Sequence, residues 1–300
     1  MKLPSTYSTL IMKKFWLVTT NHLEDGLWFR DDEDFRVGMN HVAIGARRGV
    51  VLVLAFILMS NHLHFVLYGT KKEVEAFMNA LKQRYSMYLS KKYGERDFLR
   101  RNHVDFKLIP ADDEALEWAI AYVQMNCVAA NICSHPSQYP WGTGNVFFNA
   151  SKPAGRRIGG MSGRERKRLL HTSSTDLPEE WMVSDDGYIL PENYVAIRQV
   201  ESCYRHAKRM NYFLHNSSKA RRRMDTADDK LPSFRDQTIL AALPDLCQSL
   251  YGKPAFGVLT PAEQIDFVRQ VRFRFSANVN QVARVCGLSY EQAAKLMDTV

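Results

Sequence analysis

The sequence predicts an α+β fold, with an antiparallel sheet carrying helices on one face, then a basic connecting region, then an all-helical C-terminal part. Three observations predict it. Runs rich in β-branched and aromatic residues alternate with runs of helical period through the first 130 or so residues. Composition turns to Gly, Ser and Arg at Ser151 to Gly163. Over roughly the last 65 residues, capping boxes alternate with helical patterns.

Ile11 to Thr20 reads as a strand, and Asp31 to Arg47 as a helix with acidic residues in its first turn, where they favour the positive end of the helix dipole. Val50 to Met59 is a buried strand. The polar bend Ser60-Asn61 turns it into a second strand, His62 to Tyr68. In Lys71 to Tyr93 the residues Val74, Phe77, Met78, Leu81, Tyr85, Tyr88 and Leu89 recur at three and four, a helix that Gly94 stops. A short strand near Val104 to Ile109 leads through Pro110 into a helix over about Asp112 to Val128. The order β-α-β-β-α-β-α is the split β-α-β, ferredoxin-like pattern, shared by proteins of many functions.

Three domains are expected: 1–150, a basic and partly helical region 151–229, and a helical unit 230–300. The middle region holds fifteen Lys and Arg against nine Asp and Glu between Ser151 and Asp225. Arg156, Arg157, Arg164, Arg166, Lys167 and Arg168 are its candidates for phosphate contact, and Pro191 to Leu214 has a helical pattern. A second boundary is read at Lys219 to Asp229. Thr260-Pro261-Ala262-Glu263 opens a helix to about Phe275. Asn280 to Cys286, the turn Gly287-Leu288 and a helix capped by Ser289 then form a helix-turn-helix-like arrangement, with Arg284 and Lys295 keeping it basic.

The chain has 300 residues and a net charge of +8. Its longest apolar run, Val50 to Met59, is about half the roughly 20 residues of a membrane-spanning helix. The N-terminal residues lack a secretory pattern, so a cytoplasmic protein is expected. Five scattered cysteines without a C-x-x-C pair argue against a disulfide framework.

Chemistry concentrates in two segments. His62 and His64 alternate along a strand and therefore share a face, where two imidazoles can bind one metal; the plainer alternative is a pair of partly buried structural histidines. Tyr122 and Asn126 are four apart on a helix and stack one turn from each other. Taken without the histidines, they read as a core aromatic and a C-cap. Tyr85 and Tyr88 are rival phenols, but Leu89 and Lys92, four residues on, match neither role.

The string LMSNHLHFVL, followed by AYVQMNCVAANICSHPSQYPWGT, resembles the REP-associated tyrosine transposases of the single-tyrosine HUH superfamily, which includes the insertion-sequence-200-like transposases. The resemblance covers roughly residues 11 to 148 through three ordered motifs, which in the family read M-P-N-H-V-H, Y-I-x-x-N-P-V and Y-P-W-S-S. It implies an HUH catalytic domain in which His62, His64 and Asn126 hold Mg²⁺ or Mn²⁺, and Tyr122 is the nucleophile that forms a 5′-phosphotyrosine. Tyr139-Pro140-Trp141 would be the closing tail. Imidazole ligands alone would equally admit zinc. Ser60, Cys127 and Gly142-Thr143 depart from the family pattern.

The implied partner is single-stranded DNA flanking a hairpin, cut and rejoined without ATP, and Arg284 joins the candidate DNA contacts. Monomer and homodimer both remain open. The alternatives are a domesticated hairpin-binding protein without cleavage, and an RNA-binding sheet using Phe56 and Phe65 as stacking aromatics.

Overall fold

The computed structural model describes residues 12–20, 27–95, 99, 102–111, 114–130, 132–151, 154–172, 176–217, 236–275 and 277–298. Four strands, β1 (Lys14–Thr20), β2 (Leu52–Met59), β3 (His62–Gly69) and β4 (Val104–Leu108), form a sheet of order β2-β3-β1-β4 with every neighbouring pair antiparallel. Helices α1 (Asp32–Arg48), α2 (Lys71–Tyr93) and α3 (Ala115–Gln124) interleave with the strands as their sequence periods dictate, and α4 (Asn126–Ala129) follows α3. Thr70 and Glu73 close a capping box at the start of α2, and Gly94 ends it at φ 74°, a conformation glycine adopts without strain.

Helices cover both faces of the sheet, not one. Phe65 of β3 packs edge-on against Phe77 of α2, whereas its neighbour His64 meets Tyr122 of α3. Adjacent strand residues point to opposite faces, so α2 and α3 lie on opposite sides. The reason is that α3 is apolar nearly all round: Ala119, Ile120, Ala121 and Val123 are all buried. Burial on both faces also explains why β2 reads as the unbroken apolar run LVLAFILM.

Strand β2 would be an exposed edge, but later chain covers it. Leu58 N donates to Trp141 O (2.8 Å), Thr143 N to Phe56 O (3.0 Å) and Ala196 N to Val53 O (2.9 Å). Tyr139 Oη donates to Leu58 O (2.7 Å), and Trp141 stacks on Phe35. A side chain at 142 would put a Cβ 2.6 Å from Phe56 O, so glycine is required there.

Packing does not stop at residue 150. Helices α6 (Ile197–Tyr204) and α7 (Ala207–Asn216) put Val200, Tyr204, Met210, Phe213 and Leu214 into the same core as the sheet. The helical pattern of Pro191 to Leu214 is broken at Arg205, which has φ 67°, and His206 caps the second helix through Arg209 N. The described part of the Gly/Ser/Arg-rich segment packs as well. Short strands β5 (Arg156–Arg157) and β6 (Met182–Val183) pair, and α5 (Gly163–Leu170) packs against α1 through a cluster of Ala43, Ile44, Ile158, Met161, Leu170, Trp181, Val183 and Ile189. Its few apolar residues are enough to dock it. The boundary read at Lys219 to Asp229 lies outside the described residues.

Helices α8 (Asp236–Tyr251), α9 (Pro261–Phe275), α10 (Val279–Cys286) and α11 (Tyr290–Asp298) enclose a separate core around Phe267, Val268, Val271 and Val282. Asn278 caps α10 and Gly287 ends it at φ 66°. No helix among the described residues is long and apolar enough to cross a membrane.

Candidate active site

Strand β3 begins at the hairpin bend, and its first and third residues, His62 and His64, stand side by side with ring centroids 4.8 Å apart. Both are buried. Each ring is held through Nδ1. His62 Nδ1 lies 2.9 Å from Asn61 Oδ1, an acceptor, so the proton sits on Nδ1 and Nε2 carries the lone pair. His64 Nδ1 lies 3.0 Å from Thr19 Oγ1 of β1, the residue directly opposite in register. Nδ1 is thus engaged on both rings, which fixes how each imidazole is turned. The next threonine, Thr20, accepts from Leu63 N (2.9 Å) and fixes the backbone between the two histidines.

Tyr122 reaches this pair from α3. Its half-buried ring stands perpendicular to that of His64, with centroids 5.5 Å apart. Asn126 follows just past the break at Met125 that ends α3, and is buried. Its Nδ2 donates to the carbonyls of Tyr122 (2.9 Å) and Val123 (3.2 Å). Two carbonyl partners require an N–H donor, so the orientation of the carboxamide is settled and Oδ1 is its acceptor end. The helix break thus joins Tyr122 and Asn126 through side chain to main chain.

The two rival tyrosines of the sequence are committed elsewhere. Tyr85 is buried and donates to Trp28 O (2.6 Å); burial, with Asp34 nearby, holds its phenol well above the ordinary value. Tyr88 donates to Asp34 Oδ1 (2.7 Å), and burial pushes its phenol up as well. Asp34 is fully buried and also meets Lys92 (2.8 Å) and Tyr93 (2.9 Å), so this group ties α1 to α2. Phe56 and Phe65 are fully buried on the α2 side, which removes the stacking surface expected of an RNA-binding sheet.

The basic candidates do not gather at the histidines. Arg156, Arg157, Arg164, Lys167 and Arg168 are exposed, and Arg166 is half-buried, all in the segment that packs on α1, across the sheet from Tyr122. Arg156 pairs with Glu165 (2.6 Å), and Arg166 Nε donates to Met161 O. Arg284 is not a free surface cation. Its Nε meets the buried Asp236 at 2.8 Å and its Nη2 meets the other oxygen at 3.3 Å, because the carboxylate at the start of α8 needs a partner. The sequence marks Asn61 only as part of a polar bend and Thr19 only as a strand residue, although a polar pair ending an apolar strand and an Asn before H-x-H are visible signals.

No family model matches this chain, and no curated protein does. A solved structure described as that of a REP-associated tyrosine transposase bound to a REP hairpin is similar at TM-score 0.35 and 13% identity, over 43% of this chain and 76% of that one. That score is too low to carry a functional reading.

Proposed function

We propose that this chain is a single-tyrosine HUH transposase or endonuclease of the REP-associated type, which cuts and rejoins single-stranded DNA through a 5′-phosphotyrosine on Tyr122. One observation carries the reading: Tyr122, the half-buried phenol of α3, stands against His64, whose neighbour His62 has its tautomer set by Asn61.

The residues fit a divalent ion. His62 and His64 would supply two imidazoles to it, and Asn126, tied to the Tyr122 carbonyl through its Nδ2, would supply a neutral oxygen through Oδ1. Mg²⁺ or Mn²⁺ held there would neutralise charge on the scissile phosphate.

Tyr122 Oη attacks phosphorus, forming the phenolic ester as the P–O3′ bond breaks. The phenol gives up its proton and the departing 3′-oxygen gains one. The new ester retains a phosphodiester, so another 3′-OH can displace the tyrosine and rejoin strands without ATP. The half-buried Phe15, Leu17 and Tyr68 share the histidines' face of the sheet by strand register and offer apolar surface for unpaired bases. The basic segment on α1 would hold a duplex stem through its phosphates.

The test is incubation with Mn²⁺ and labelled hairpin DNA carrying single-stranded flanks, followed by denaturing electrophoresis. A covalent adduct that is lost in Tyr122→Phe and kept in Tyr85→Phe is expected. Hairpin binding without an adduct, whatever the metal or flank, would leave a DNA-binding protein of transposase ancestry.

A further inference from the structure

The hairpin bend that starts the histidine strand is held from the far end of the chain. Asp236 and Gln237 are neighbours in the first turn of α8, about 100° apart around the helix axis. Asp236 turns into the C-terminal core, onto Arg284 and Gln281. Gln237 turns the other way: it is buried, and its Nε2 donates to Phe29 O (2.7 Å) and to Ser60 Oγ (3.2 Å). Ser60 O in turn accepts from Trp28 N (2.8 Å) and Phe29 N (3.2 Å). Phe29, Ser60 and Gln237 therefore close a ring of hydrogen bonds around the bend.

The bend needs that support. A two-residue hairpin loop follows the twist of its strands best with positive φ at one or both loop residues. Neither Ser60 nor Asn61 is among the residues with positive φ. Ser60 precedes Asn61, whose side chain fixes the ring of His62.

We propose that Gln237 is a positioning residue, through which the C-terminal helical unit sets the bend Ser60-Asn61 and hence the orientation of His62. The role of His62 as a ligand rests on the function proposed above; the tether itself does not. In this chain a tertiary contact would do what proline does at the matching position of the family it resembles.

The experiment measures amide hydrogen exchange over residues 58–64 and, separately, Mn²⁺ affinity, in the full-length protein. Gln237→Ala and Ser60→Ala should each speed exchange at Asn61 and His62, and weaken Mn²⁺ binding by about tenfold, as loss of an outer support of a metal ligand does. The double variant should be no worse than Gln237→Ala alone. Ser60→Pro placed in the Gln237→Ala background should restore both readouts, because proline fixes a negative φ.

Ser60→Ala leaves the packing of the C-terminal helices untouched and guards against a trivial loss of fold. Wild-type exchange at the bend in Ser60→Ala and Gln237→Ala, or no recovery with Ser60→Pro, would overturn the tether. A wild-type protein that binds no Mn²⁺ would instead remove the metal reading, and the exchange data would still decide the tether.

Discussion

The ring of Tyr122 meets His64 at a right angle, with centroids 5.5 Å apart, and this contact survives removal of the phenolic oxygen. Tyr122→Phe is therefore expected to stay folded in urea unfolding while losing all covalent reaction. Tyr85→Phe should do the reverse. It leaves the buried carbonyl of Trp28 without its donor, so stability should drop by about 1–3 kcal/mol with adduct formation retained.

Thr19 is not itself a proposed ligand, yet it lies against His64 Nδ1 and holds that ring. Thr19→Val keeps the shape of the side chain and removes the hydroxyl. Calorimetric titration should show Mn²⁺ affinity lowered by about tenfold, with Thr19→Ser close to wild type. Equal affinity in Thr19→Val would mean that His64 is oriented by packing alone.

His41 supplies a pH dependence. Burial, then the nearby charges of Arg84 and His171, lower its pKa from 6.5 to about 3. The ring stays neutral in the fold while the unfolded chain takes up a proton below its ordinary value. The stability is thus complete above pH 6.5 and declines as pH falls toward 3, by up to about 1.4 kcal/mol per pH unit. Urea unfolding of wild type and His41→Gln between pH 7.5 and 4.5 should show this slope only in wild type.

Arg284 and the α5 cations should separate cleanly. Arg284→Ala strands the Asp236 carboxylate and should destabilise the C-terminal helices by about 3 kcal/mol, read by thermal unfolding. Lys167→Glu with Arg168→Glu should leave unfolding unchanged, weaken hairpin binding and reduce its dependence on salt. Unchanged binding would take α5 out of the DNA surface.

The sequence by itself determined whatever depends on near neighbours along the chain. Alternation placed His62 and His64 on one face, and turn and cap residues marked the succession of strands and helices, the end of α2 and the C-terminal helices. These patterns are legible because strand and helix periods act over a few residues.

Only the tertiary structure decided which face α3 covers, because an apolar helix packs equally well on either side of a sheet until the rest of the core is placed. It also committed Tyr85 and Tyr88 to Trp28 and Asp34, partners that come from distant segments. The same holds for Thr19 on His64, for Val200 to Leu214 joining the first core, and for Arg284 turning inward to Asp236. Each is a contact between residues far apart in sequence, and burial, which sets the cost of every unpaired polar group, exists only once those contacts have formed.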